Sequence, residues 1–212
     1  MFAPPAAEVR RQADGVVFLR SSQALESHER CVGEYLVRWA RDAPARAFLM
    51  ERAPGGGWRG LTYEQALEQV RALGGWLLGQ NLSAERPVVV LSGNSIEHAV
   101  LMLACLHVGI PIAAISPAYS LLSNDFVKLG KIVATLRPGL IYAANQKRFA
   151  AAISAIGGRH DAQLVVDGDG PAVDGALPFG SLHAGRPSAE VENPLNTPMH
   201  CATVMVSISG AS

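Results

Sequence analysis

Cysteine is scarce and poorly placed for cross-linking. Cys31, Cys105 and Cys201 are odd in number, far apart and without a C-x-x-C spacing, which leaves a disulfide framework or a zinc site unsupported. A reducing, cytoplasmic location is the expectation. Net charge is absent too: 18 basic residues balance 18 acidic ones. The electrostatic footprint of a nucleic-acid or anionic-membrane partner is therefore missing. The first residues, MFAPPAAEVRR, contain no apolar h-region, so no secretory signal is expected. The most apolar stretch, Ala99 to Ala118, is interrupted by His107, Gly109 and Pro111 before it reaches the ~20 residues a bilayer requires. Buried helix followed by buried strand is the better reading. No internal repeat is present.

What the chain does have is apolar material, 49% of its 212 residues, enough for a sizeable core. The densest unit runs from Pro87 to Ser120. Val88 to Leu91 is a β-branched run without polar alternation, as in a strand covered on both faces. Ser92-Gly93-Asn94 turns the chain, with Asn94 expected to cap the next helix and Glu97 to close a capping box. Ile96 to Leu106 is apolar on nearly every face and ends at Gly109, and Ile110 to Ile115 reads as a second buried strand. Strand, helix and parallel strand form a right-handed crossover. The same rhythm continues. A helix capped by Ser123 carries Phe126, Leu129, Val133 and Leu136, and Leu140 to Ala143 is the next strand. Phe149, Ala150, Ile153 and Ile156 mark another helix, followed by a strand at Leu164 to Val166. The expected fold is α/β, an open, mostly parallel sheet with helices on both faces.

Upstream, residues 1 to 14 carry little pattern, and Val16 to Leu19 reads as a short edge strand after the Asp14-Gly15 turn. Val32, Tyr35, Leu36 and Trp39 predict an amphipathic helix over Glu26 to Arg41. Ala47 to Met50 and Trp58 to Leu61 read as a hairpin around Pro54-Gly55-Gly56-Gly57. That glycine cluster is a turn rather than a phosphate loop, because no helix with lysine and hydroxyl follows it. Thr62 and Gln65 spell a capping box for a helix buried through Ala66, Val70, Leu73 and Leu77, in which Gly74-Gly75 calls for close packing. Residues 168–201 turn to Gly, Pro and polar residues, either a surface excursion with a helical turn near Phe179 to Leu182 or a connection to another sheet. Ala202 to Ser207 resumes a strand pattern. The expected division is residues 1–61 as a helix and hairpin region, 62–167 as the parallel-sheet core, 168–201 as a long loop, and 202–212 as a strand ending on a Gly- and hydroxyl-rich turn.

Several pieces together resemble one family. Leu61-Thr62-Tyr63, the segment Leu91 to His98, Gly109-Ile110-Pro111 and Ser116-Pro117-Ala118-Tyr119-Ser120-Leu121 are similar to the amino-terminal part of the adenylate-forming acyl- and aryl-CoA synthetases. The SPAYSL segment, with Asp125 and Lys128-Leu129, Arg10-Arg11, Asp14-Gly15 and Trp39-Ala40, most resembles the feruloyl-CoA synthase group. The resemblance implies activation of a carboxylate as an acyl-adenylate with ATP and magnesium, then thioester formation with CoA. It also implies a phosphate loop of the kind T-S-G-S-T-G-x-P-K-G. Ser209, Gly210 and Ser212 match part of it, while Ile208 and Ala211 stand where the family has Thr and Ser. The chain stops before the second glycine and the lysine. The expectation is an amino-terminal fragment, inactive alone, binding none of these cofactors by itself and carrying no catalytic residue and no metal site. The alternative is a non-catalytic interaction module that pairs, through apolar surface left uncovered, with a full-length synthetase or another protein.

Single residues add little chemistry. His98 and His107 on an apolar helix read as structural histidines, and Cys105 as a small buried hydrophobe. His200-Cys201 is too short a cluster for a metal, and Ser181 with His183 has no triad motif around it.

Overall fold

A computed structural model describes residues 6–24, 26–170, 173–184 and 189–192. In chain order these form β1 (Ala7–Arg11), β2 (Val17–Ser21), α1 (Val32–Asp42), β3 (Ala47–Arg52), β4 (Trp58–Thr62), α2 (Tyr63–Leu78), β5 (Val88–Leu91), α3 (Ile96–Val108) and β6 (Ile112–Ile115). They continue as α4 (Ala118–Leu121), α5 (Val127–Leu136), β7 (Leu140–Ala143), α6 (Gln146–Ile156), β8 (Gln163–Val166) and β9 (Leu177–Pro178). Short 3-10 turns follow at Phe179–Ala184 and Ala189–Glu192.

Five strands build one sheet in the order β6-β5-β7-β8-β9, with every neighbouring pair parallel. The apolar runs explain it. A strand has two faces, and when neither alternate set of side chains is polar both faces must be covered. Val88, Val90, Leu140, Tyr142 and Val165 pack into one cluster with Val70, Leu73 and Leu77 of α2 and Val100, Leu101 and Ala104 of α3. Val89, Leu91, Ile141, Ala143 and Val166 pack into a second cluster with Leu129 and Val133 of α5 and Phe149 and Ile153 of α6. The α/β expectation therefore holds.

Local signals act as read at several points. The Thr62 hydroxyl accepts from the Gln65 N–H, and the Gln65 side chain accepts from the Thr62 N–H, so the capping box is closed. Gly109 ends α3 in the left-handed conformation at φ 75°, where only glycine sits without strain. The glycine-rich segment is the turn of the β3–β4 hairpin. Gly74 lies where α2 meets its neighbours: a Cβ there would stand 3.0 Å from Val108 Cγ1 and 3.3 Å from Val191 Cγ1.

Elsewhere the structure departs from expectation. Helix α1 begins at Val32 rather than Glu26, because the Glu34 carboxylate accepts from the Arg30 N–H (2.8 Å) and fixes an extended Cys31 as the boundary. The cap of α3 is Ser95, not Asn94: its hydroxyl accepts from the His98 N–H at 3.1 Å. Helix α5 starts at Val127. Ser123 Oγ accepts from the Phe126 N–H in the preceding turn, while Asp125 Oδ1 accepts from the Val127 N–H. Ala118–Leu121 is a short helix, and Ala7–Arg11 pairs with β2 although its sequence has no strand pattern. The excursion after Asp167 adds β9 to the same sheet, and Phe179, Leu182 and Val191 then cover the α2–α3 core. The strand expected at Ala202 to Ser207 lies outside the described residues.

Candidate functional site

In an open parallel sheet, ligands collect outside the carboxyl ends of the strands, at the point where strand order reverses. Here the chain leaves β5 toward β6 on one side and returns to β7 on the other, so the switch lies between β5 and β7. Ser92 to Ser95 and Ala144-Asn145 occupy it, with Asp167 beyond the end of β8. The helices that follow are already capped: Ser95 serves α3, and Asn145 Oδ1 accepts from the Arg148 N–H (2.8 Å) at α6.

A charged network joins the β3–β4 hairpin to this edge. Glu51 and Arg59 face each other in the hairpin register and form an ion pair. Arg59 also donates through both terminal nitrogens to Glu97, at 2.7 and 2.9 Å. Glu51 Oε2 in turn accepts from the Ile96 N–H at 2.8 Å, so the hairpin braces the first turn of α3. Burial pushes the Glu97 carboxyl up, but the Arg59 hydrogen bonds outweigh it and hold Glu97 below the ordinary glutamate range. Arg59 is raised, chiefly by Glu97, and stays cationic.

Behind this network sits Tyr142, fully buried, its ring 4.9 Å from that of Phe179, which in turn contacts His183 edge-on at 5.1 Å. Among the described residues His183 Nδ1 has no hydrogen-bond partner. Burial raises Tyr142, and the charges of Asp167 and Glu97 add to the effect, so the phenol keeps its proton and remains a donor. Burial likewise raises Asp167 and lowers His183. Two carboxylates, Glu51 and Glu97, thus hold one guanidinium. Such an edge fixes a hairpin, but its charge disfavours a triphosphate, which needs cations and free backbone N–H groups.

The residues singled out from sequence separate as follows. His98 Nδ1 lies 3.0 Å from the Gly93 carbonyl and holds the turn after β5, a structural role. His107 is buried at the far end of α3, its Nε2 3.3 Å from Glu192 Oε1. Cys105 is buried, and desolvation raises its thiol. Ser181 Oγ donates to the Pro178 carbonyl at 2.7 Å rather than to His183. Ser209, Gly210 and Ser212 lie outside the described residues, as do His200 and Cys201. Sequence reading missed Glu51, Arg59, Tyr142 and Asp167. The available signal was the hairpin register, which sets Glu51 opposite Arg59.

Comparison with curated proteins finds no match. Among solved structures, the fold resembles the anthranilate CoA ligase AuaEII in complex with anthranoyl-AMP (TM-score 0.59, 20% identity, 76% of this chain and 29% of that one). It also resembles acetoacetyl-CoA synthetase from Streptomyces lividans (TM-score 0.63, 16% identity, 88% and 30%). A putative long-chain-fatty-acid CoA ligase from Rhodopseudomonas palustris is similar as well (TM-score 0.56, 20% identity, 73% and 36%). The chain thus spans about a third of the length of these relatives. The profile of the AMP-binding enzymes matches residues 36–207. With the parallel sheet and its switch point in place, that match makes the chain a member of the AMP-binding enzyme family.

Proposed function

We propose that this chain supplies the amino-terminal α/β part of an ATP-dependent acyl- or aryl-CoA ligase of the feruloyl-CoA synthase type, working in the cytoplasm. The observation that carries the reading is the family match over residues 36–207, laid on an all-parallel sheet with helices on both faces. The chemistry is carboxylate activation to an acyl-adenylate with loss of pyrophosphate, then transfer to the CoA thiol. The SPAYSL segment, Ser116 to Leu121, which places α4 just beyond β6, supports the aryl preference. Ser209, Gly210 and Ser212 are the candidate phosphate contacts. Among the described residues no group of three His, Cys, Asp or Glu could hold a metal ion. In the division proposed here residues 62–167 form the sheet core, 1–61 precede it, and 168–201 lead to the phosphate segment at 202–212.

The 212-residue polypeptide has no G-x-P-K-G segment, so it is expected to be silent by itself. Adenylyl transfer depends on positioned cations, and losing one such contact costs about 10²-fold or more in rate. ATP–pyrophosphate exchange with ferulate and with palmitate tests both halves of the proposal. The isolated polypeptide should give no exchange; a chimera joining residues 1–212 to the distal part of a feruloyl-CoA synthase should exchange with ferulate and not with palmitate. Turnover by the polypeptide alone would overturn its silence, and a palmitate-selective chimera would overturn the aryl assignment.

A second reading, an interaction module, draws support from the exposed apolar side chains on β1 and β2 and at Leu122 and Val127.

A further inference from the structure

Strands β1 and β2 form a hairpin that pairs with no other strand among the described residues. It precedes the family-matched region, and every residue of both strands is exposed. Alternation sorts its side chains. Glu8, Arg10, Phe18 and Arg20 share one face, with Glu8 and Arg20 in an ion pair at 2.7 Å. Val9, Val17 and Leu19 share the other, and Val9 and Leu19 are 56% and 71% exposed. A lone two-stranded hairpin is marginal in water, whereas three or more strands sustain one another.

The free edge of β1 is also oriented for pairing. Gln12 N–H donates to the Val16 carbonyl (2.8 Å) and Ser22 N–H to the Ala6 carbonyl (3.3 Å). Even-numbered residues therefore turn their backbone groups toward β2, and by the period of two Ala7, Val9 and Arg11 turn theirs outward.

We propose that β1 pairs antiparallel with β1 of a second copy about a two-fold axis at Val9, giving a four-stranded sheet β2-β1-β1-β2. Charge selects this register. Centred on Val9, each Glu8 lies opposite Arg10 of the other copy, in non-hydrogen-bonded pairs where side chains come closest. Centring on Glu8 would set glutamate against glutamate, and centring on Arg10 arginine against arginine. In the Val9 register the Glu8–Arg20 ion pair extends into a ladder running Arg20, Glu8, Arg10, Phe18 across four strands. The outward N–H and C=O groups of Ala7, Val9 and Arg11 meet those of Arg11, Val9 and Ala7. The surface lies apart from the sheet edge discussed above, so the proposal stands or falls independently of the ligase reading.

Sedimentation of the intact chain over a range of concentrations tests it. A reversible monomer–dimer equilibrium is expected, weakening as salt rises. R10E sets a second glutamate against Glu8 in both cross-copy pairs, and E8R sets a second arginine against Arg10 in both; each should weaken dimerisation about tenfold or more. An equimolar mixture of R10E and E8R restores two opposite-charge pairs and should dimerise again, with unchanged far-UV circular dichroism as the folding control. A strictly monomeric wild-type chain overturns the proposal. So does a dimer indifferent to R10E, or a mixture that fails to associate while both variants are folded.

Discussion

The Arg71–Glu192–His107 group shows how much one buried side chain can decide. Arg71 Nε donates to Glu192 Oε1 at 2.7 Å, and the same oxygen lies 3.3 Å from His107 Nε2, while His107 Nδ1 has no partner among the described residues. Burial lowers the His107 pKa, the Glu192 charge opposes that and Arg71 adds to it. A histidine whose folded pKa lies below its unfolded value of about 6.5 favours the native state at higher pH, and this contribution falls away as pH drops below that value. Denaturant unfolding should accordingly show stability declining between neutral and mildly acid pH, with a shallower decline in H107Q. Equal slopes would show that His107 does not titrate in that window; His160 and His183, also lowered by burial, would then carry the decline. At Thr62 the outcome is simpler. T62A removes a closed capping box and should cost about 0.5–2 kcal/mol, read from the same unfolding curves.

At the level of elements, Leu73 of α2 is fully buried against the sheet, and L73A should destabilise by about 2–5 kcal/mol. G74V tests a different contact. Even a methyl at Gly74 would press on Val108 and Val191, so valine is expected to lift Val191 from its seat and speed amide exchange around Ala189–Glu192 without melting the sheet. Unchanged exchange there would show that Val191 does not depend on the notch. The same elements show what could be read from sequence. β5, β7 and α3 were legible because burial on two faces leaves no charged residue in a strand and few polar ones in a helix, and α6 because Phe149, Ile153 and Ile156 recur on one buried stripe. β1 was not: AEVRR is exposed throughout and gains its strand geometry only from β2. Nor was β9, two residues ordered by pairing with β8. Ser95 displaced Asn94 as a cap because the boundary was off by one residue, the scale at which hydroxyl and amide caps cannot be told apart by pattern. The network at the carboxyl edge was hidden for another reason: Arg59 and Glu97 are distant in sequence and meet only after the hairpin folds onto α3. Ser209, Gly210 and Ser212 were named only through resemblance and lie outside the described residues.

For the whole molecule, the hairpin and the sheet are separable in stability. Since β1 and β2 bury no residue, deleting residues 1–22 should leave the thermal midpoint of the sheet core unchanged. A marked fall in Tm would mean the hairpin seats on the core. The all-parallel pairing of the larger sheet has a kinetic consequence as well. The β3–β4 hairpin closes over one short turn, but Val88 meets Leu140 only after a helix, a strand and two further helices have been threaded between them. Chain-closure entropy must be spent before any of those pairings is rewarded, which makes such topologies slow to assemble. During that delay the nascent polypeptide exposes Val-Val-Val-Leu and Leu-Ile-Tyr-Ala as bare aggregation-prone segments, so yield on refolding will be governed by dilution and temperature more than by final stability.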